Sequence, residues 1–287
     1  MQRLIVALGL VAASAWGVMR PSGQPVPDRT VSGFIQNGDV QLSYQLDRPA
    51  GAGPFPAVVI GHGSGRTTKQ SCLGFSMRMR ERGFATLCYD KRGVGLSTGT
   101  YSMVGSGNSP TLIPELASDM AAGVAHLRRL RDIDGKRVGL LGPSQAGWII
   151  PEAARLSSPA FMIIFVGPTV STGEEIFYSR FAEGTTASLE DAYAKLPEFK
   201  GPHGFDPRPV LERLSVPGLW LLGGADRSIP TPKTVKILEE LIAAGRPFTF
   251  HVYPGVDHDL RGAPVWTDID RWLAKFMPQK PKSILDD

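Results

Sequence analysis

The stretch VGLLGPSQAG at residues 138–147 places a serine between an apolar run and a segment with helical spacing. This pattern predicts a strand, a tight turn and a helix, with the serine at the tip of the turn and its hydroxyl projecting above the end of the sheet. Such a turn needs small residues two positions before and after the serine, and Gly142 and Ala146 are both small. Ala146 replaces the second glycine of the usual G-x-S-x-G pattern, and Gly147 follows it directly. Ser144 is therefore the candidate nucleophile.

Apolar runs of strand length alternate with helical patterns on both sides of this turn. Runs that are apolar at nearly every position are typical of strands covered on both faces, and they predict strands at 57–60, 85–89, 137–141, 161–166 and 218–222. Residues 248–253 are expected to form the last strand. Helical spacing of apolar residues predicts helices at 72–82, 114–131, 145–156, 232–244 and 267–276. Two earlier strands, 31–34 and 40–46, form a predicted hairpin with Asn37-Gly38 as its turn. The alternation predicts an α/β fold with a mostly parallel sheet and helices on both faces.

One insertion, residues 167–209, is much longer than an ordinary connection between two such strands. It contains two adjacent glutamates and several aromatic residues, at positions 174, 175, 177, 178, 181, 193 and 199. We expect it to form a small helical cap over the carboxyl edge of the sheet, where active sites of open α/β sheets lie. The alternative is an insertion without a functional role.

A serine hydroxyl becomes a nucleophile only beside a base, and that base needs a carboxylate to orient it. Among the five histidines, His258 lies in a loop after the last predicted strand. Asp226 follows strand 218–222 and stands between the serine and the histidine in chain order. Taken singly, Asp226 could be a helix cap and His258 a surface residue, but three loops after three strands favour a joint role. Asp257 and Asp259 are rival acids, although residues adjacent to a histidine rarely point toward its ring.

The glycine-rich segment GHGSG at residues 61–65 follows the first central strand and suits a close approach of backbone N–H groups to an oxyanion. We expect the two donors to be the N–H groups of Ser64 and of Gln145, the residue after the nucleophile. His62 is expected to brace this loop. The spacing excludes a P-loop, and the glycines at 93 and 95 lack the third glycine of a dinucleotide fingerprint.

The composition is that of a globular protein with one large domain. Its 287 residues are 42% hydrophobic and 20% charged, with a net charge of +4. No dense stripe of Lys and Arg is present, which excludes nucleic acid as the expected partner. Cys72 and Cys88 are the only cysteines, and they form no metal-binding pattern. They could pair in an oxidising compartment or remain two buried thiols.

The first 20 residues read as a secretory signal peptide: a basic residue, an apolar run over 4–11, and small residues at 13–15. We therefore expect export to the periplasm or the medium, with a mature chain starting near Trp16. Two alternatives are an uncleaved anchor, which would be the only membrane attachment, and a short apolar helix packed on the domain. Residues 21–30 are proline-rich and predict a linker, so the main domain would span 31–287.

Five short motifs occur in the order found in the α/β-hydrolase superfamily. They are HGSG at 62–65, DKRG at 90–93, GPSQAG at 142–147, GAD at 224–226 and DH at 257–258. From about Val31 onward the chain resembles this superfamily. The segments DKRGVG at 90–95 and SQAGW at 144–148 are similar to those of bacterial carboxylesterases and relatives of acylaminoacyl-peptidases. The resemblance implies an eight-stranded, mostly parallel sheet, a triad of Ser144, Asp226 and His258, and no metal or organic cofactor. Peptidase relatives usually carry an extra propeller domain, for which this chain has no room, so esters are expected rather than peptides.

The expected function is a serine hydrolase that cleaves small-molecule carboxylic esters through an acyl-enzyme on Ser144. The same triad would also serve an acyltransferase, in which an alcohol or amine replaces water, or an amidase or peptidase. A non-catalytic binding protein on a hydrolase scaffold is the alternative from a different class, because a fold alone does not establish an activity.

Overall fold

The apolar runs pair into one eight-stranded sheet in the computed structural model, which describes residues 29–184 and 188–275. The strands are β1 (Arg29–Asn37), β2 (Val40–Arg48), β3 (Phe55–Ile60), β4 (Ala85–Tyr89), β5 (Ile133–Pro143), β6 (Met162–Phe165), β7 (Gly218–Gly223) and β8 (Phe248–Tyr253). Their order in the sheet is β1-β2-β4-β3-β5-β6-β7-β8. Strand β2 is antiparallel to both its neighbours, and β3 to β8 run parallel to one another. The predicted mostly parallel sheet is confirmed.

Helices cover both faces of this sheet. They are α1 (Leu73–Arg80), α2 (Ser109–Leu127), α3 (Ala146–Ser157), α4 (Thr172–Gly184), α5 (Leu189–Ala194), α6 (Arg208–Leu211), α7 (Thr231–Ala243) and α8 (Val265–Leu273). Alternate residues of β3 serve the two cores: Ala57 and Val59 pack in the cluster that contains α2, α3 and α7. Val58 and Ile60 pack in the cluster that contains α1 and α8. All four side chains are fully buried, which explains why the strand is apolar at consecutive positions.

Several predicted boundaries are wrong, and three of them have identifiable physical causes. The hairpin turn consists of Gly38 and Asp39 because Asn37 already pairs with Val40 in the ladder. The predicted linker 21–30 ends too late, since residues 29 and 30 begin β1; the rest of it lies outside the described residues. Helix α2 starts before Pro114, which the prediction placed at its first position and which lies inside the helix. Pro110 stands in the first turn instead, where the missing N–H costs nothing.

The inserted segment 167–209 contains α4 and α5, and α4 lies against the loop that follows β7. The hydroxyl of Tyr178 donates to the carbonyl of Asp226 at 2.9 Å. The guanidinium of Arg227 donates to the carbonyl of Ala182 at 2.6 Å. The segment thus reaches the carboxyl edge of the sheet, and its own small apolar core includes Tyr178, Ala182, Ala192 and Leu196.

The leader predicted at residues 1–20 lies outside the described residues. Within 29–184 and 188–275, the helices are too short or too polar to cross a lipid bilayer. Cys72 and Cys88 are both buried free thiols.

Candidate active site

Ser144 occupies a strained turn between β5 and α3. Its φ of 54° lies in the left-handed region, which costs a non-glycine residue about 1–2 kcal/mol. Two backbone hydrogen bonds hold it there: the N–H of Ser144 donates to Phe165 at 2.8 Å, and the N–H of Gly147 donates to the carbonyl of Ser144 at 2.8 Å. Since strain of this kind persists only where the surroundings enforce it, it is typical of functional positions.

The small residues around the turn have separate steric causes. A Cβ added at Gly142 would lie 2.6 Å from the Cβ of Ala146, so the turn accepts alanine at one of these positions because the other is glycine. A Cβ at Gly147 would lie 2.6 Å from the backbone nitrogen of Pro168. The departure from G-x-S-x-G at Ala146 is therefore accommodated, and Gly147 is required by a different contact.

Asp226 and His258 meet at the carboxyl edge of the sheet. Nδ1 of His258 lies 2.8 Å from Oδ2 of Asp226, and Asp226 is only 2% exposed. Oδ1 of the same carboxylate accepts the N–H groups of Ser228 and Ile229, both at 2.8 Å. Every oxygen of this buried carboxylate is thus engaged, and Nδ1 must carry the proton that it shares with Oδ2. The other ring nitrogen, Nε2, makes no hydrogen bond among the described residues.

The pKa of His258 lies above its ordinary value. Burial lowers the pKa of His258, but the hydrogen bond and the negative charge of Asp226 outweigh that effect, and Asp259 and Glu175 add to it. A histidine that is easier to protonate is a stronger base for the hydroxyl of a nucleophile.

A cavity of about 420 Å³ connects the histidine with the turn. His258, Pro143 and Val166 are among its lining residues, together with Trp266. Among the described residues the Ser144 hydroxyl makes no hydrogen bond. The structure therefore joins His258 to Asp226 but not to Ser144. Pro143, the residue before Ser144, lines the cavity. Hydrogen bonds to a nucleophile often tighten only when substrate is bound.

The loop after β3 lies directly beside Ser144. A Cβ added at Gly63 would be 3.7 Å from the Cβ of Ser144. Among the residues that the structure describes, the N–H groups of Ser64 and Gln145 donate no hydrogen bond. His62 is buried, and its Nε2 donates to the carbonyl of Tyr89 at 2.6 Å. Burial and the charge of Lys91 lower the pKa of His62 to about 4, and the neutral ring fixes the loop to β4.

Two charged residues at this edge were missed by the sequence analysis. Lys91 is 3% exposed, and its ammonium contacts the glycine loop and Gln145. Glu175, on α4, lies close enough to His258 and Asp226 to interact with their charges. Burial raises the pKa of Glu175 to about 8, and the charge of Glu183 adds to the rise. The signal for Lys91 was its place in the DKRG motif just after a buried strand, and the signal for Glu175 was a glutamate in an aromatic-rich insertion.

A second cavity, of about 680 Å³, lies along the other side of α4. Phe177, Phe181 and Phe199 form apolar walls, and Arg180 stands among the lining residues. In the described part of the chain, no group of three or more His, Cys, Asp or Glu side chains is placed to hold a metal ion.

The strand order and the strand-turn-helix bend at Ser144 define an α/β-hydrolase. The X-Pro dipeptidyl-peptidase (S15) family matches residues 37–189. This chain belongs to that family, and it is a hydrolase of the α/β class.

Two curated proteins are similar to this chain in sequence, and one solved structure is similar to it in fold. The esterase EstD of Thermotoga maritima is 27% identical over 231 residues, which are 70% of this chain and 53% of EstD. This chain therefore spans about half the length of EstD. The "Putative carboxymethylenebutenolidase" of Methylorubrum extorquens is 26% identical over 96% of this chain and 93% of its own. An esterase of Pyrococcus furiosus shares the fold with a TM-score of 0.67, at 16% identity over 87% of this chain and 92% of its own.

Proposed function

We propose that this protein is a serine hydrolase that cleaves carboxylic esters through an acyl-enzyme on Ser144. The observation that carries the proposal is the 2.8 Å contact between Nδ1 of His258 and the buried carboxylate of Asp226. A histidine oriented in this way, at the same sheet edge as a strained serine, is the arrangement that activates a hydroxyl.

The proposed reaction has two halves. Oγ of Ser144 attacks the ester carbonyl carbon while Nε2 of His258 takes the hydroxyl proton, and the carbonyl oxygen becomes an oxyanion. The N–H groups of Ser64 and Gln145 stabilise that oxyanion. The C–O bond to the alcohol then breaks, His258 returns the proton to the leaving oxygen, and the acyl group remains on Ser144. Water, deprotonated by His258, then attacks the acyl carbon. The C–O bond to Oγ of Ser144 breaks, His258 returns the proton to Oγ, and the carboxylic acid leaves.

The cavity beside His258 supports a small or medium ester. Its volume of about 420 Å³ is near the lower end of the range for ligand pockets. Phe165, Val166 and Trp266 give it an apolar wall, which suits an aliphatic acyl or alcohol group better than a charged one.

The direct test is turnover of p-nitrophenyl acetate and butyrate by the wild type and by Ser144→Ala. We expect kcat to fall by about 10⁴-fold or more in the variant, because loss of one triad member removes most of the rate. A fluorophosphonate probe should label the wild type and leave Ser144→Ala unlabelled. Equal turnover by the two proteins, or equal labelling, would exclude Ser144 as the nucleophile.

Peptide cleavage is the second candidate, because the family that matches residues 37–189 carries the name X-Pro dipeptidyl-peptidase. The same acyl-enzyme would form from an amide, with an amine as the leaving group. An X-Pro p-nitroanilide assayed beside p-nitrophenyl butyrate separates the two: a higher kcat/KM for the anilide would replace the ester proposal.

A further inference from the structure

Lys91 is a buried lysine with no carboxylate partner among its three hydrogen-bond acceptors. Its Nζ donates to the carbonyl oxygens of Gly63 at 2.8 Å and Gly65 at 3.0 Å. The third acceptor is Oε1 of Gln145, at 3.2 Å. An ammonium has three N–H donors, so all three are used and each acceptor is uncharged.

These three contacts join two parts of the chain that are far apart in sequence. Gly63 and Gly65 flank Ser64 in the loop after β3, whereas Gln145 is the N-cap of α3 directly after the proposed nucleophile. The N–H groups of Ser64 and Gln145 are the two proposed oxyanion donors. The ammonium therefore links the two segments that carry these donors.

We propose that Lys91 is a positioning residue, whose ammonium sets the geometry of the oxyanion hole by tying the Ser64 loop to Gln145. This inference rests on the proposed function, since it assumes an oxyanion at Ser144. It also accounts for the presence of a lysine in a place where burial is costly: removing an ammonium from water without an opposing charge is unfavourable, and a neutral side chain would fill the same space at lower cost.

The charge state of Lys91 provides a readout that a merely structural contact would lack. Burial lowers the pKa of Lys91 to about 8. The charged and titratable groups around it are His62, neutral with its pKa lowered to about 4, Asp90, which is paired with Lys69, and Arg66, which donates to the carbonyl of Gly93. When the ammonium loses a proton it keeps two donors for three acceptors. We therefore expect kcat to fall as the pH rises through about 8.

The principal experiment measures kcat and KM of p-nitrophenyl butyrate from pH 6 to 10 for the wild type and Lys91→Met. Loss of one oxyanion donor lowers kcat by about 10²–10³-fold, so we expect a fall of about 10²-fold in kcat for Lys91→Met, with little change in KM. The residual activity of the variant should lack the descending limb. A kcat close to the wild-type value, or an unchanged limb, would overturn the proposal.

Two further variants keep the proposal testable if Lys91→Met does not fold. Lys91→Arg retains a charge that does not titrate, so its activity should persist above the pH at which the wild type declines. Gln145→Met keeps the backbone N–H but removes one acceptor of the ammonium. It should lower kcat and shift the descending limb to lower pH, because the protonated amine loses a partner. Wild-type rates and an unshifted limb in Gln145→Met would contradict the role of Lys91.

The matched control is Lys69→Met. The Lys69 side chain is largely covered, at 11% exposed, and its ammonium donates to Ser43 at 2.8 Å and to Asp90 at 3.0 Å, with no hydrogen bond to the Ser64 loop among the described residues. We expect a lower Tm with the descending limb retained. The two proposals fail in different ways: a wild type without turnover or probe labelling removes the proposed function, whereas an active wild type with an equally active Lys91→Met removes only this inference.

Discussion

At the scale of single residues, Asp226 determines how His258 behaves. Its carboxylate accepts from Nδ1 of the ring and from two backbone N–H groups, and its charge outweighs the effect of burial on the pKa of His258. In Asp226→Asn, the amide would donate to Nδ1 and move the ring proton to Nε2, which can then no longer act as a base. We expect kcat for p-nitrophenyl butyrate to fall by about 10⁴-fold.

The same substitution should also shift the pH profile of kcat in a defined direction. Without the Asp226 charge the pKa of His258 falls, so the ascending limb of the residual kcat should move to lower pH. Asp257→Asn is the control, because Asp257 is an exposed neighbour of His258 whose carboxylate accepts the N–H of Asp259. If Asp257→Asn lost as much activity as Asp226→Asn, the assignment of the acid would have to be changed.

At the scale of structural elements, the turn between β5 and α3 leaves no room for a side chain at Gly142. A methyl group at Gly142 would sit 2.6 Å from the Cβ of Ala146, well inside van der Waals distance. Gly142→Ala should therefore lower the free energy of unfolding by about 1–3 kcal/mol, the usual cost of overpacking. Because the clash is with a side chain, adding Ala146→Gly should recover part of the loss. Urea unfolding of both single variants and the double variant gives the coupling energy, which should favour the double variant by ~1 kcal/mol.

Gly147→Ala is the comparison for this cycle. Its new methyl group would meet the backbone of residues 167 and 168, which cannot be trimmed by a side-chain substitution. Ala146→Gly should therefore give Gly147→Ala no rescue. Equal rescue of Gly142→Ala and Gly147→Ala would show that the rescue does not depend on the specific contact between residues 142 and 146.

At the scale of the whole molecule, the central sheet was predictable because it is buried on both faces. Strand β4 has the predicted bounds, and all five of its residues are buried, since a continuous buried run leaves little ambiguity. The candidate residues Asp226 and His258 could be found because each follows a parallel strand, and all such ends meet at one edge. Lys91 and Glu175 could not be found in this way. Their burial results from contacts between segments distant in sequence, and no local pattern encodes it.

The burial of Glu175 makes the stability of the whole chain depend on pH. Burial raises the pKa of Glu175 from 4.5 to about 8 in the folded protein. The folded state therefore keeps a proton that the unfolded chain releases, and the contribution of Glu175 to stability is complete below pH 4.5 and lost as the pH rises through about 8. Glu175→Gln imitates the protonated form, so its Tm should exceed the wild-type Tm by an amount that grows between pH 5 and 8.

Glu174 supplies a matched control with the opposite sign, on the same turn of α4. Burial raises the pKa of Glu174, but hydrogen bonds from Lys233 and Ser171 outweigh it, so the pKa lies below 4.5. That contribution is present above pH 4.5 and lost as the pH falls, so Glu174→Gln should have a lower Tm than the wild type at pH 8 and approach it in acid. In a chain of this size ~1 kcal/mol shifts Tm by about 2–4 °C, which scanning calorimetry at pH 5, 6.5 and 8 resolves. If the Tm difference for Glu175→Gln were the same at all three pH values, Glu175 would be titrating as an ordinary surface carboxyl, and α4 would not bury it against the site.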